Sequence, residues 1–483
     1  MLQERRVENL KALGYNAIRT SHNPVSPAFL DACDRLGMLV MDEAFDCWSG
    51  GKNPQDYHLY FDAWWQRDME AMVLRDRNHP SIIMWSIGNE IPIRNSPLGV
   101  TLSKQLADFI RARDASARPV TSAYPGISNA ADAYFAPLDV AGYNYGWDKY
   151  AADHARVPDR IIVGTESFPA QSFQNWDLIW NSSYLLGDFI WTAMDYIGES
   201  SIGANGRNTP DLQACGGYCP RGWAYHIAYC GDIDLVGHRK PQSIYRNVLW
   251  NNTQLEVAVH APVPAGQHEV IASWGFADER QSWTWDVAAA DPPLSVNVYS
   301  QYPHVQLLLN GKPADAAQAS PVAVSRATEF KATFSVPYAA GELTAVAFGP
   351  DGAAVAKRTL FSAGAPAGIV MRADRAAIAA SRDDLSYVTA TVVDKDGKPT
   401  PSEDTTITFS LDGGANAEIA AVGSGDPQDS GSFHAASRKT YRGKAVAIVR
   451  PGKTNIPATA GSATLTASAP GLGAGTTLRI TYE

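Results

Sequence analysis

Two glutamates carry the chemistry that this sequence suggests. Glu90 closes the run Ile82-Ile83-Met84-Trp85-Ser86-Ile87-Gly88-Asn89-Glu90, and Glu166 follows Ile161-Ile162-Val163-Gly164-Thr165. Short apolar runs of this kind read as strands buried on both faces, and in a parallel barrel the reacting groups gather at strand C-terminal ends. Two carboxylates facing one another across such a mouth are the minimal equipment for cleaving a glycosidic bond. A separation of about 5 Å permits double displacement with retention. One glutamate alone at a strand end would more simply be a solvated or salt-bridged group. The order, an Asn-Glu pair first and a lone Glu later, favours the catalytic reading.

The elements that must position these groups alternate. Val7, Leu10 and Leu13 share one face of a helix, with Gly14 placed to end it. Further helices are expected over 27–36, 62–75 and 102–113. Strands are expected over 15–20, 38–42, 82–87, 119–123, 139–143, 161–164 and 188–193. Repeated strand–helix units imply a parallel sheet with right-handed crossovers. The count is seven strands, and the chain opens inside a helix that should follow a first strand. The expected architecture is α/β plus all-β: a (β/α)8 TIM barrel over 1–251 whose first strand is apparently missing, then two immunoglobulin-like β-sandwiches over 252–363 and 364–483. Val305 to Leu309 followed by Asn310-Gly311 predicts a hairpin, and Val388 to Val393, Asp394-Lys395-Asp396-Gly397 and Thr405 to Leu411 predict strand, turn and strand.

The chain has 483 residues, of which 45% are hydrophobic, which suffices for several cores; its net charge of −10 argues against nucleic acid or an anionic membrane as partner. No run of 18 apolar residues predicts a transmembrane helix, and Met1-Leu2-Gln3-Glu4-Arg5-Arg6 leads into a helix without a signal-peptide pattern. Periplasmic or secreted placement is favoured if the true N-terminus carries a signal. Of Cys33, Cys47, Cys215, Cys219 and Cys230, the pair Cys215 and Cys219 could form a disulfide in a Gly-rich stretch, but three to five free thiols are the simpler expectation. No His stands at ligand spacing beside them, so no zinc site is expected.

Five motifs together resemble glycoside hydrolase family 2, the β-galactosidase and β-glucuronidase family: Arg19-Thr20-Ser21-His22, Asp42-Glu43-Ala44-Phe45-Asp46, Arg75-Asp76-Arg77-Asn78-His79-Pro80-Ser81, Gly88-Asn89-Glu90 and Gly164-Thr165-Glu166. The stretches Gly231-Asp232-Ile233-Asp234-Leu235 and Lys240-Pro241-Gln242-Ser243 are similar to the β-galactosidase-like subgroup. The resemblance implies a catalytic TIM barrel flanked by sandwiches and a retaining mechanism, with Glu166 as nucleophile and Glu90 as general acid and then base. Glu90 would need a raised pKa, from a neighbouring carboxylate and partial burial. Asn89 would bond the sugar 2-hydroxyl. Arg19 would sit beside Glu166 and keep it ionised, unless it only braces the barrel by pairing with Asp42 or Glu43. His22 would contact sugar hydroxyls. One of Tyr143 and Tyr145 would donate its hydroxyl to Glu166, with spacing favouring Tyr145 and core packing the alternative for Tyr143. Trp191 would form a floor for the pyranose. Asp46, Trp48 and His58 lie on the loop after the third barrel strand and would line the sugar or aglycone, or else pack the loop.

A terminal β-D-galactoside is the substrate that the resemblance favours. Glucuronidases of the family hold the sugar carboxylate with an Asn-x-Lys pair, and none lies between Trp191 and Trp250. The alternatives are a β-glucuronidase or β-mannosidase, or an inactive truncated fragment, the last motivated by the missing first strand. No cofactor and no metal are expected, and a homo-oligomer is open.

Overall fold

The computed structural model describes residues 2–207, 222–287, 291–401, 405–412, 416–453 and 457–483. Cys215 and Cys219 lie outside them; Cys33, Cys47 and Cys230 are buried free thiols. The chain forms two compact units, Gln3–Thr192 and Ala193–Glu483, the latter taking in Met1–Leu2 as well.

The first unit is a seven-stranded parallel sheet wound into a nearly closed barrel. Its strands are β1 (Ala17–Arg19), β2 (Leu39–Glu43), β3 (Ile82–Asn89), β4 (Val120–Pro125), β5 (Ala141–Asn144), β6 (Ile162–Ser167) and β7 (Leu185–Ile190), and they neighbour one another in sequence order. Each crossover carries a helix: α1 (Leu2–Ala12) leads in, then α2 (Pro27–Leu36), α3 (His58–Asp76), α4 (Pro97–Arg111), α5 (Asp132–Phe135), α6 (Tyr150–Arg156) and α7 (Ser172–Trp180) follow β1 to β6. The seven expected strands are present, but β7 begins three residues earlier than expected, which leaves Trp191 just beyond it. Gly14 ends α1 as expected, at φ +86° with its N–H on the Lys11 carbonyl; a side chain would disfavour that left-handed conformation. The short α6 and α7 lack a sequence signal, since neither shows a side-chain N-cap.

An apolar floor fills one level of this barrel, where Met41, Met84, Val140 and Val163 cluster. Residues two apart on a strand share a face. Glu43, Ser86 and Thr165 therefore stand one layer above Met41, Met84 and Val163, toward the strand C-termini.

Asp42 faces the other way from Glu43. It is fully buried, one carboxylate oxygen has no hydrogen-bond partner, and Asp76, held by Arg75 at 2.6 and 2.7 Å, lies beside it. Burial, reinforced by Asp76, pushes the Asp42 carboxyl up to about 8. The unfolded chain would release that proton near pH ~3.9. A raised folded value means that this contribution to stability is fully present below the unfolded value and is lost as pH rises through about 8. Asp42→Asn should therefore gain on the wild type between pH 4 and 8, by about 2–4 °C in Tm for each kcal/mol removed. Thermal unfolding across that range checks this; a Tm offset independent of pH would contradict it.

The second unit holds two β-sandwiches. The first packs the sheet Glu279–Arg280, Leu255–His260, Leu294–Ser300, Lys331–Val336 against one built on Lys312–Pro313, His304–Leu309, Glu342–Phe348 and Ala354–Phe361, around Val257, Trp283, Val296, Leu307 and Phe334. The expected Asn310-Gly311 hairpin forms: Leu309 pairs with Lys312, and both turn residues have positive φ. The second sandwich packs a four-stranded and a five-stranded sheet around Val388, Phe409, Ala447 and Leu465. The turn at 394–397 also forms, but Thr406–Asp412 then joins the opposite sheet, beside Gly461–Ser468, rather than pairing back on Ser386–Val393. Before the sandwiches, Tyr196–Ile197 pairs with Ile227–Ala228 and helix α8 spans Pro241–Leu249. Among the described residues no helix is long and apolar enough to cross a membrane.

Candidate active site

The site lies at the C-terminal ends of β1, β2, β3, β5 and β6, and Arg19 is its hub. Its guanidinium is buried and spends its donors on four partners. Nε and Nη2 grip Glu43 at 2.8–3.0 Å, Nη1 donates to Glu166 Oε1 at 2.9 Å and to the Thr165 carbonyl at 3.0 Å, and Nη2 also reaches Asn89 Oδ1 at 2.9 Å. A planar fork of five N–H groups suits such convergence, which the ammonium of a lysine could not match. The ion-pair partner is Glu43, not Asp42, so bracing and contact with Glu166 coexist in one side chain.

Glu43 was legible only as a bracing partner and proves to be the anchor. It also takes the Ser86 hydroxyl at 2.7 Å and His22 Nδ1 at 2.7 Å. Burial alone would raise its carboxyl, but Arg19, His22 and Ser86 outweigh that and hold it at about 2. With His22 Nδ1 donating to Glu43, Nε2 is left to accept from Asn89 Nδ2 at 3.2 Å. The His22 ring stacks on Trp191, centroids 5.0 Å apart and planes within 8°. These two aromatic faces stand at the two ends of the seven-stranded order, after β1 and after β7.

Glu166 is buried and held from two sides, by Arg19 on Oε1 and by the Tyr145 hydroxyl on Oε2 at 2.6 Å. Burial pushes its carboxyl above the ordinary glutamate value and the charge of Glu90 adds to this, against Arg19, His22 and Tyr145. Arg19 therefore does not prevail here as it does at Glu43. Its grip on Glu43 is bidentate and seconded by His22, whereas Glu166 takes one guanidinium N–H and faces a second carboxylate.

The two tyrosines separate. Tyr145 reaches Glu166, as the spacing favoured. Tyr143 does not: it is fully buried, and its hydroxyl donates to Asp153 on α6 at 2.7 Å. The expectation that Tyr143 binds substrate is corrected. Simple alternation would send Tyr143 and Tyr145 to one face, but the β5–β6 register breaks between Tyr143 and Asn144, and Tyr145 turns at φ +56°. Left-handed backbone at a non-glycine residue costs on the order of 1–3 kcal/mol and tends to persist where the surroundings enforce it. Glu90 is the second such residue of the site, at φ +44°. Register breaks also occur between Ser86 and Asn89 and between Gly164 and Ser167, and such irregularities re-aim side chains.

Trp48 is corrected as well. Its indole is fully buried, donates to the Ile87 carbonyl and stacks against Phe61 and Tyr134, so it packs the core rather than lining a cavity. His58 opens α3 and is turned to Asp56 on the loop before it. Asp46 does reach the site, meeting Asn89 Nδ2 at 3.3 Å and Lys52 at 2.5 Å.

Asn144 is the residue that sequence reasoning passed over. Its Nδ2 donates to Glu90 Oε1 at 2.9 Å and to Asn89 Oδ1 at 3.1 Å, and its Oδ1 accepts from the Thr165 hydroxyl at 2.6 Å. An amide at the end of a strand buried along its whole length was the available signal, because such a group must find partners inside.

Comparisons with known proteins agree with this geometry. Residues 2–154 match the model of the glycosyl hydrolases family 2 TIM barrel domain, residues 369–477 match glycoside hydrolase family 2 C-terminal domain 5, and residues 291–356 match a domain of unknown function. The chain belongs to glycoside hydrolase family 2. Among its relatives, a β-galactosidase of Bacteroides ovatus is 28% identical over 94% of this chain and 57% of its own length. A putative β-glucuronidase of Formosa agariphila is 26% identical over 74% of this chain and 35% of its own. The crystal structure of a family 2 member from Bacteroides cellulosilyticus superposes with a TM-score of 0.90 at 39% identity, covering 100% of this chain and 60% of that one. The chain thus spans 57% of the Bacteroides ovatus relative, 35% of the Formosa agariphila one and 60% of the Bacteroides cellulosilyticus one.

Proposed function

We propose that this chain carries the catalytic machinery of a retaining exo-glycosidase that hydrolyses terminal β-D-galactosyl residues. The observation that carries the reading is the state of Glu166: Arg19 and Tyr145 fix both of its oxygens, and the second glutamate, Glu90, is close enough to perturb its titration. In the first step Glu166 attacks the anomeric carbon while Glu90 gives its proton to the departing glycosidic oxygen, leaving a glycosyl ester on Glu166. In the second, Glu90 takes a proton from water, whose oxygen displaces Glu166 and releases the sugar with retained configuration. Asn89 offers its amide to the sugar 2-hydroxyl, His22 and Asp46 meet neighbouring hydroxyls, and Trp191 backs the apolar face of the ring. The division into a catalytic barrel (1–251) and sandwiches (252–363 and 364–483) belongs to the same reading and is supported by the separate apolar cores of the sandwiches.

Galactose is favoured by the Bacteroides ovatus relative, which is named a β-galactosidase, and by the lack of an Asn-x-Lys pair between Trp191 and Trp250. The relative named as a putative β-glucuronidase keeps that sugar as the alternative. Turnover of p-nitrophenyl β-D-galactoside, β-D-glucuronide and β-D-mannoside by the chain separates them. A galactoside kcat/KM at least about tenfold above the others is expected, a margin of roughly 1.4 kcal/mol in transition-state binding. A preference for the glucuronide would overturn the choice of sugar.

A further inference from the structure

We propose that Asn144 is a positioning residue that ties the carboxyl of Glu90 and the amide of Asn89 to the strand bearing Glu166. The inference rests on the glycosidase reading above and deepens it. Asn144 is buried, both of its N–H groups are engaged, and each bond has a distinct consequence.

The bond to Glu90 Oε1 fixes one carboxyl oxygen and leaves Oε2 to carry the proton that moves to the leaving group. Glu90 needs such an anchor because its backbone stands in the left-handed region, where strand geometry does not set the direction of the side chain. The bond to Asn89 Oδ1 joins that from Arg19, so this oxygen receives two donors and the Asn89 Nδ2 is the face turned to His22 and Asp46, from one of which a sugar hydroxyl would take an N–H. The third bond, from the Thr165 hydroxyl, anchors the Asn144 amide itself. Thr165 directly precedes Glu166, and Asn144 lies opposite Glu166 in the β5–β6 register. Asn144, Asn89, Arg19, Glu166 and Thr165 thus close a ring through which acid and nucleophile keep their spacing.

Proton delivery matters most when the leaving group is poor, and that supplies a readout beyond general damage. The test compares kcat/KM for methyl β-D-galactoside and 2,4-dinitrophenyl β-D-galactoside in the wild type, Asn144→Ala and Asn144→Asp. The aspartate keeps the shape and the acceptor but loses the N–H donor. Both variants should lose roughly 100-fold on the methyl glycoside and less than about tenfold on the dinitrophenyl glycoside, the range in which a mispositioned proton donor acts. Equal losses on the two substrates, no loss, or wild-type behaviour in Asn144→Asp would overturn the proposal. A crystal structure of Asn144→Ala decides independently of turnover. Glu90 displaced with the Arg19–Glu166 pair intact supports the proposal, and Glu90 unmoved overturns it. Wild-type silence on every glycoside would sink the glycosidase reading itself, while that crystal structure would still report whether Asn144 holds Glu90.

Discussion

Glu166→Gln should lose at least about four orders of magnitude in kcat on a galactoside while remaining folded. Replacing a covalent nucleophile removes the route rather than slowing it, and losses of that size are typical. The substitution is nearly isosteric, and circular dichroism should match the wild type. Glu90→Gln should behave differently: activity on the dinitrophenyl glycoside should survive far better than on the methyl glycoside, because only the latter needs the proton. The raised titration of Glu166 adds a pH signature. In the proposed mechanism Glu166 attacks only when ionised, so the acidic limb of kcat/KM should fall away as pH drops through a value above the usual glutamate range. Steady-state kinetics of the two variants, with a pH profile of the wild type, check all three points. Equal losses for Glu90→Gln on both substrates would remove Glu90 from the acid role.

Arg19→Ala should be the most damaging substitution for stability in the barrel. Glu43 and Glu166 are both buried and both depend on this guanidinium. Removing one partner of a buried ion pair costs about 3–5 kcal/mol, because the other charge is left uncompensated. Arg19→Lys should recover only part, since an ammonium cannot grip Glu43 with two donors while also reaching Glu166 and Asn89. The pH dependence follows from Glu43, whose folded value of about 2 lies below its unfolded value. A depressed carboxyl stabilises above the unfolded value, near pH ~4.3, and that contribution is lost as pH falls through the folded value. The gap between wild type and Arg19→Ala should therefore be widest near neutrality and narrow at strongly acid pH. Urea denaturation at pH 7 and pH 3 measures it; a gap of under about 1 kcal/mol at pH 7 would mean that water reaches these carboxylates after all.

Strand positions were readable because parallel strands buried on both faces write themselves as apolar runs, and β3 and β6 are the clearest examples. Glu90, Glu166, Arg19 and Asn89 could be found because they stand at the ends of those runs inside specific motifs. What could not be read was side-chain direction. Tyr143 and Tyr145 look equivalent at spacing two, and only the register break and the left-handed Tyr145 send one to α6 and the other to Glu166. Trp48 could be read as lining the sugar or aglycone or as packing its loop, which follows β2, and the backbone turns the indole onto Phe61 and Tyr134. The anchoring role of Glu43, legible only as a bracing partner, and the whole role of Asn144 were hidden for a related reason: their value lies in which partners converge on them, and convergence among five strands is a tertiary fact. Helices α6 and α7 escaped because seven and nine residues without side-chain caps give little periodic signal.

The central claim is a covalent intermediate on Glu166, and trapping it is the most direct measurement. The chain would be incubated with 2-deoxy-2-fluoro-β-D-galactosyl fluoride, whose electronegative substituent slows the second displacement, then weighed intact and mapped by peptide mass spectrometry. One fluorogalactosyl group per chain on the peptide containing Glu166, absent in Glu166→Gln, is the predicted result. Turnover of galactosides with the label on another residue, or with the released sugar inverted and no label, would contradict the account.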